Sequence, residues 1–191
     1  MANVVTDLVN DDCPEVSAEL AMSRLVAIPK PEKPEARPIG IGETLLKIAA
    51  ALQLKRCGQD IDKRFGDTQF VLRECGAEEI VRTIRSDVRA GKIVAALDAS
   101  NAFNTIERTT LAHAISDNEC ANHLSGIFNT LYHRVSDLRL FKNQKGFIDV
   151  PSRRGVRQGD PLGPVLYALG TLSVLEKAKE KFNSSDRRLC R

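Results

Sequence analysis

Ile93-Val94-Ala95-Ala96-Leu97-Asp98 runs directly into Ala99-Ser100-Asn101-Ala102-Phe103-Asn104-Thr105-Ile106. The first part is an apolar run, β-branched at its start, that ends on a carboxylate, so it predicts a buried strand delivering Asp98 to its C-terminal edge. Ligands usually sit at sheet edges of that kind. An aspartate after a strand is ordinarily a helix cap or a turn residue, and the run by itself leaves cap and ligand both open.

Working upstream, Ala77–Ala90 predicts an amphipathic helix. Ile80, Val81, Ile84 and Val88 make one stripe, Glu78 and Glu79 suit the first turn, and Gly91 ends it. Thr68–Leu72 reads as a short extended piece. Glu43–Cys57 predicts a helix that buries Leu45, Ile48, Ala49 and Leu52 and stops at Gly58, with Lys47, Lys55 and Arg56 on its polar side to meet phosphates or water. Further back, Arg24–Ile28 reads as a strand, Pro29–Pro38 holds four prolines in a stiff turn, and Ile39-Gly40-Ile41 returns as a second strand. Lys30 and Arg37 then lie near the base of that hairpin. Glu15–Met22 predicts a short helix, and Met1–Pro14 reads as a loose polar lead.

Downstream, Glu107–Ile115 and Glu119–His133 predict helices, the second with Leu124, Ile127, Phe128 and Leu131 on one face. Val135–Phe141 and Phe147–Val150 form a hairpin around Lys142–Gly146. Pro151–Pro164 follows as a loop in which Asp160 suits an N-cap and Pro161 a first helical residue, leading into an apolar helix over Val165–Leu175. Its polar continuation, Glu176–Lys181, runs out at Asn183-Ser184-Ser185. Strands and helices alternate without internal repeats, which points to α/β or α+β rather than a bundle.

The 191 residues are about one domain's worth, 42% hydrophobic and 28% charged, with a net charge of +3 that allows nucleic-acid binding without demanding it. No apolar run is long enough to cross a bilayer and no signal segment opens the chain, so an intracellular, soluble protein with no membrane partner is expected. Five scattered cysteines, Cys13, Cys57, Cys75, Cys120 and Cys190, suit free thiols in a reducing compartment. Cys120 and His123, with His113 and His133 nearby, lack the second cysteine pair of a structural zinc site.

Three stretches carry a family likeness. Pro29-Lys30 with Arg37-Pro38-Ile39-Gly40 resembles the fingers hairpin of the reverse transcriptases of non-long-terminal-repeat and related retroelements. Ala96-Leu97-Asp98-Ala99-Ser100-Asn101-Ala102-Phe103-Asn104 resembles their motif A, and Gly155-Val156-Arg157-Gln158-Gly159-Asp160-Pro161-Leu162-Gly163-Pro164 resembles motif B. The resemblance implies an α+β fold comprising the fingers and a partial palm of a right-hand polymerase, its incomplete palm sheet flanked by helices. The divisions it implies are an N-terminal lead over 1–23, a fingers-like region over 24–92, a partial palm over 93–182 and a cut C-terminal end over 183–191.

It further implies two-metal nucleotidyl transfer by an RNA-directed DNA polymerase, with an RNA template, a DNA primer, a deoxynucleoside triphosphate (dNTP) and Mg²⁺. In that reading Asp98 is the catalytic metal ligand, assisted by the carbonyl of Ala99. Lys30, Arg37, Ala99, Phe103 and Gln158 hold the dNTP. Phe103 lies under the sugar and excludes a 2′-hydroxyl, and Lys30 and Arg37 grip the triphosphate. Gly159, Arg157 and Arg154, with Arg153 beside them, meet template and primer. Each has a plainer role: core packing for Phe103, a turn before a cap for Gly159, and solvated surface for the basic residues.

The family's second acidic motif, two adjacent aspartates on a later strand pair, is missing. The only Asp-Asp pair is Asp11-Asp12, far upstream. One carboxylate does not fix two divalent ions, so the chain alone is expected to be inactive and to lack the rest of the palm and the thumb. The alternative is a noncatalytic remnant that still binds nucleic acid. A third reading is an unrelated interaction domain.

Overall fold

A computed structural model of the chain describes residues 2–10, 12, 16, 19–31, 34, 36–133, 136–142 and 146–189. Both predicted hairpins form. Strands β1 (Ser23–Pro29) and β2 (Ala36–Gly42) pair antiparallel from Ser23↔Gly42 to Pro29↔Ala36, and β3 (Ser136–Phe141) pairs antiparallel with β4 (Phe147–Ser152). A short parallel contact, Ser23↔Leu138 and Arg24↔Arg139, joins them into one mixed sheet of order β2-β1-β3-β4. The fold is α+β, as expected.

The core lies among the helices. Helix α1 (Ala2–Asn10) occupies much of the stretch read as a loose lead, and it is docked: Leu8 is buried, and the Thr130 hydroxyl donates to its carbonyl at 2.7 Å. Helix α2 (Thr44–Phe65) runs through Gly58, the expected stop, and ends at Gly66 with φ 51°. An interior glycine costs about 1 kcal/mol. Burying Ile61 and Phe65 beyond it returns about 1.5–3 kcal/mol each, so the helix continues.

The buried face of α2 also differs from the expected one. Leu46, Ala49, Ala50, Gln53, Cys57, Ile61 and Phe65 face inward, while Ile48 and Leu52 are exposed. The expected stripe would continue into Lys55, Arg56 and Gln59, whereas the observed one, after Gln53, continues through Cys57, Ile61 and Phe65 to the end of the helix. Thr68–Leu72 is a set of turns rather than an extended piece.

Helix α3 (Gly76–Arg89) forms where predicted, yet its stripe of Ile80, Val81, Ile84 and Val88 faces solvent. The following Ile93–Asp98 is not a strand: residues 92–99 have no regular secondary structure, and Ile93 and Leu97 are 99% and 97% exposed. A strand exists only as part of a ladder, and none of β1 to β4 pairs with this segment. Exposed apolar surface of this kind drives self-association. The double substitution Ile93→Ser, Leu97→Ser is therefore expected to reduce concentration-dependent light scattering while shifting stability by less than about 0.5 kcal/mol. Unchanged scattering would place the sticky surface elsewhere.

Helices α4 (Ala102–Thr105) and α5 (Arg108–Ser116) lead into a 3-10 helix (Glu119–Leu124), α6 (Ser125–Phe128) and a π-turn (Asn129–His133). One regular helix was expected over Glu119–His133. The changes of winding keep Ala121, Leu124, Ile127, Phe128, Leu131 and Tyr132 all buried. Helix α7 (Gly163–Leu189) runs well past Leu175, with Val165, Leu166, Leu169 and Leu172, and Leu162 just before it, in the core. Of the expected Glu15–Met22 helix, Val16, Glu19 and Leu20 are helical, Ala21 lies in a turn and Met22 has no regular structure, while Glu15, Ser17 and Ala18 lie outside the described residues. No helix among those described is long and apolar enough to cross a membrane.

Candidate active site

Three remote stretches meet at the loop Gly155–Asp160. Its Gly155 and Val156 amides donate to the carbonyls of Ile106 (2.9 Å) and Phe103 (2.8 Å), tying the loop to the turn around α4. On the other side, the Gly40 amide donates to the Gln158 carbonyl at 2.9 Å, and Ile39 and Gln158 form a parallel bridge. The approach is close enough to dictate residue type. Gly155 has φ +67°, and a Cβ there would stand 2.3 Å from the Phe103 carbonyl oxygen. Gly159 has φ +105°, with the Gly40 oxygen 3.0 Å from the Cβ it lacks.

The junction borders an open cavity of about 350 Å³ lined by Arg37, Phe103, Arg157, Gln158, Gly159, Asp160 and Pro164. Arg37 is exposed on β2, and the half-buried Phe103 ring stacks on Tyr167 of α7 at 5.2 Å and 23°. An exposed guanidinium, a fixed aromatic ring and an amide side chain around one space suit a ligand with an anionic end and a flat or ring-shaped body. On the other side of the loop, a second cavity of about 410 Å³ is bordered by Arg153, Arg154, Asn104 and the apolar side chains of Leu25, Leu138 and Val150.

Arg157 stands differently from its expected role on the phosphate backbone. It is 7% exposed, and its guanidinium donates to Ser23 Oγ (3.2 Å), to the Leu131 carbonyl (3.1 Å) and to Ser136 Oγ. A solvated arginine was the plainer reading. Burial against the sheet overturns both, because these partners sit on β1, on the π-turn and on β3. Arg154 is exposed and paired with Glu107, a surface ion pair that leaves it within reach of a ligand.

Asp160 is more than a cap. Its carboxylate accepts from the Leu162 amide at 3.0 Å and from the hydroxyl of Tyr132, and burial pushes its carboxyl above the usual range. Burial, with Asp160 alongside, likewise pushes the Tyr132 phenol well up, so it stays protonated and donates.

The remaining expected residues are not gathered here. Asp98 and Ala99 lie exposed in the stretch before α4, and Lys30, one residue beyond β1, does not line the cavity.

Comparisons with known proteins show the family. The family model described as reverse transcriptase (RNA-dependent DNA polymerase) matches residues 28–191. The chain belongs to the reverse transcriptase family. A similar protein is the retrotransposable element SLACS 132 kDa protein of Trypanosoma brucei gambiense, 31% identical over 183 residues. The match takes in 95% of this chain and 15% of that relative's length. The reverse transcriptase chain is thus a retroelement domain whose mixed α+β fold agrees with part of the fingers and palm.

Reverse transcriptases act on template and primer and generally use a divalent metal. Hard cations take several oxygen ligands, and no group of three His, Cys, Asp or Glu residues comes together among the described residues. Asp98 with the Ala99 carbonyl makes only part of one coordination shell, so these residues do not fit a pair of ions.

Tyr132, Tyr167 and Arg108 escaped the sequence reading. Arg108 donates to the Gly155 carbonyl (3.1 Å), the Ser152 carbonyl (2.8 Å) and Ser152 Oγ (2.7 Å). Nothing in its sequence position marks it. Tyr132 left one clue: on a helix expected to be core-facing, a phenol needs a buried partner.

Proposed function

We propose that this domain forms the nucleotide-selecting face of a retroelement RNA-directed DNA polymerase, which extends a DNA primer on an RNA template with Mg²⁺. The observation that carries the reading is the single cavity shared by Arg37, Phe103, Gln158 and Gly159. Arg37 takes the phosphates, the Phe103 ring supports the sugar, and the Gln158–Gly159 turn abuts the base pair being formed. Asp98 is the metal-binding carboxylate in this reading, with Ala99 lending its carbonyl and Lys30 assisting at the triphosphate. Arg154 and Gly159 lie toward the template.

With one carboxylate in motif A and no acidic cluster among the described residues, the 191-residue polypeptide is expected to bind without catalysing. Three measurements test this. Fluorescence anisotropy should detect binding to an RNA–DNA hybrid that weakens steeply with salt. Arg37→Ala should weaken dNTP binding about tenfold, the loss of one charge-assisted pair. Primer extension with Mg²⁺ should give no product. Incorporation that Asp98→Ala abolishes would show the polypeptide to be an enzyme by itself, and binding indifferent to Arg37 would remove the nucleotide reading.

A further inference from the structure

The turn that presents Gln158 and Gly159 is short and spanned by one side chain. Its own closing bond runs from the Asp160 amide to the Arg157 carbonyl at 3.2 Å. Behind it, the Tyr132 oxygen accepts from the Arg157 amide at 3.2 Å and donates its proton to the Asp160 carboxylate. One phenol oxygen therefore grips both ends of the turn. All four residues of the turn line the cavity, and the two between those ends, Gln158 and Gly159, lie against β2, where the Gln158 carbonyl holds Gly40.

Tyr132 is itself fixed. It is 1% exposed, the guanidinium groups of Arg108 (5.2 Å) and Arg157 (5.6 Å) lie over its ring, and Phe128 packs at 5.7 Å. It also belongs to the π-turn Asn129–His133, a winding that helices adopt mainly where a side chain must be re-aimed.

We propose that Tyr132 is a positioning residue for the nucleotide pocket: its hydroxyl, bridging Arg157 and Asp160, sets the height of the Gln158–Gly159 turn against β2. This rests on the nucleotide reading given above. Tyr132 touches no ligand and acts only through the turn, and Asp160 is its proton acceptor.

The test uses the 191-residue chain and Tyr132→Phe, which keeps the ring and removes the grip. Amide exchange followed by NMR should show the Gly40 amide exchanging about tenfold faster, while amides of the β1–β2 ladder away from Gln158 keep their rates. A dNTP titration of the same samples should show about tenfold weaker binding. A merely structural role would instead loosen the whole ladder together.

Asp160→Ala should reproduce the selective loss at Gly40. Asp160→Asn, whose amide oxygen still takes the phenolic proton but whose NH2 then faces the Leu162 amide, should fall between the parent chain and Asp160→Ala in the Gly40 exchange rate. This pair decides the matter if Tyr132→Phe does not fold. A Gly40 amide unmoved relative to its ladder in both Tyr132→Phe and Asp160→Ala overturns the proposal, as does unchanged dNTP affinity in a chain that binds dNTP. Absence of dNTP binding by the parent chain overturns the nucleotide reading itself, and with it the pocket that Tyr132 would serve.

Discussion

Gly155→Ala is expected to destabilise the chain by about 3–4 kcal/mol, measured by urea denaturation against the parent. Its Cβ would stand 2.3 Å from the Phe103 carbonyl oxygen and 2.6 Å from both the carbonyl carbon and the Cα of Asn104. These are backbone atoms, so no rotamer change relieves the contact. The left-handed φ of +67° adds about 1–2 kcal/mol of local strain for any residue with a Cβ. To make room, the loop must withdraw from α4, stretching the bonds from Gly155 to Ile106 and from Val156 to Phe103. The pocket opens as the fold weakens. A variant as stable as the parent would mean that these two stretches do not lie against each other.

Arg108→Ala is expected to cost about 3 kcal/mol, since a half-buried guanidinium that donates to several neutral acceptors leaves them without a donor when it is removed. The Ser152 and Gly155 carbonyls and Ser152 Oγ lose their hydrogen bonds, and the Tyr132 ring loses a guanidinium at 5.2 Å. Arg108→Lys should recover less than half of the loss, because a single ammonium does not reproduce the planar fork that reaches Gly155 and Ser152 together. Combining Arg108→Ala with Ser152→Ala should cost less than the two losses added, since both remove the same contact. Strict additivity would show that Arg108 does not hold the end of β4.

The hairpins and helices α3 and α5 were legible because each rests on its own local pattern, whereas α1, the second half of α2 and the broken winding over 119–133 depend on what they pack against. Pro29–Pro38 forces a reversal between two apolar runs, and Glu78, Glu79 and Gly91 punctuate α3 at both ends. The grouping of Arg37 with Phe103, Gln158 and Gly159 was legible only through the likeness of three motifs to one family, as nothing in their spacing says that they meet. Arg157 misled because a run of arginines beside glycine looks like a solvated loop. Tyr132 went unnoticed because its partners lie 25 and 28 positions away, on the same turn.

By itself the sequence determined where the two hairpins turn, where α3 and α5 lie and where α2 and α7 begin, and which family the chain resembles, since residues adjacent in the chain decide those matters. The tertiary structure alone decided which face of α2 is buried, that Arg157 is an internal strut, and that Ile93–Asp98 stays unpaired despite its composition. Each of those outcomes depends on neighbours brought from elsewhere in the chain. A strand needs a partner strand, a buried guanidinium needs acceptors, and a helix face needs a surface to cover it.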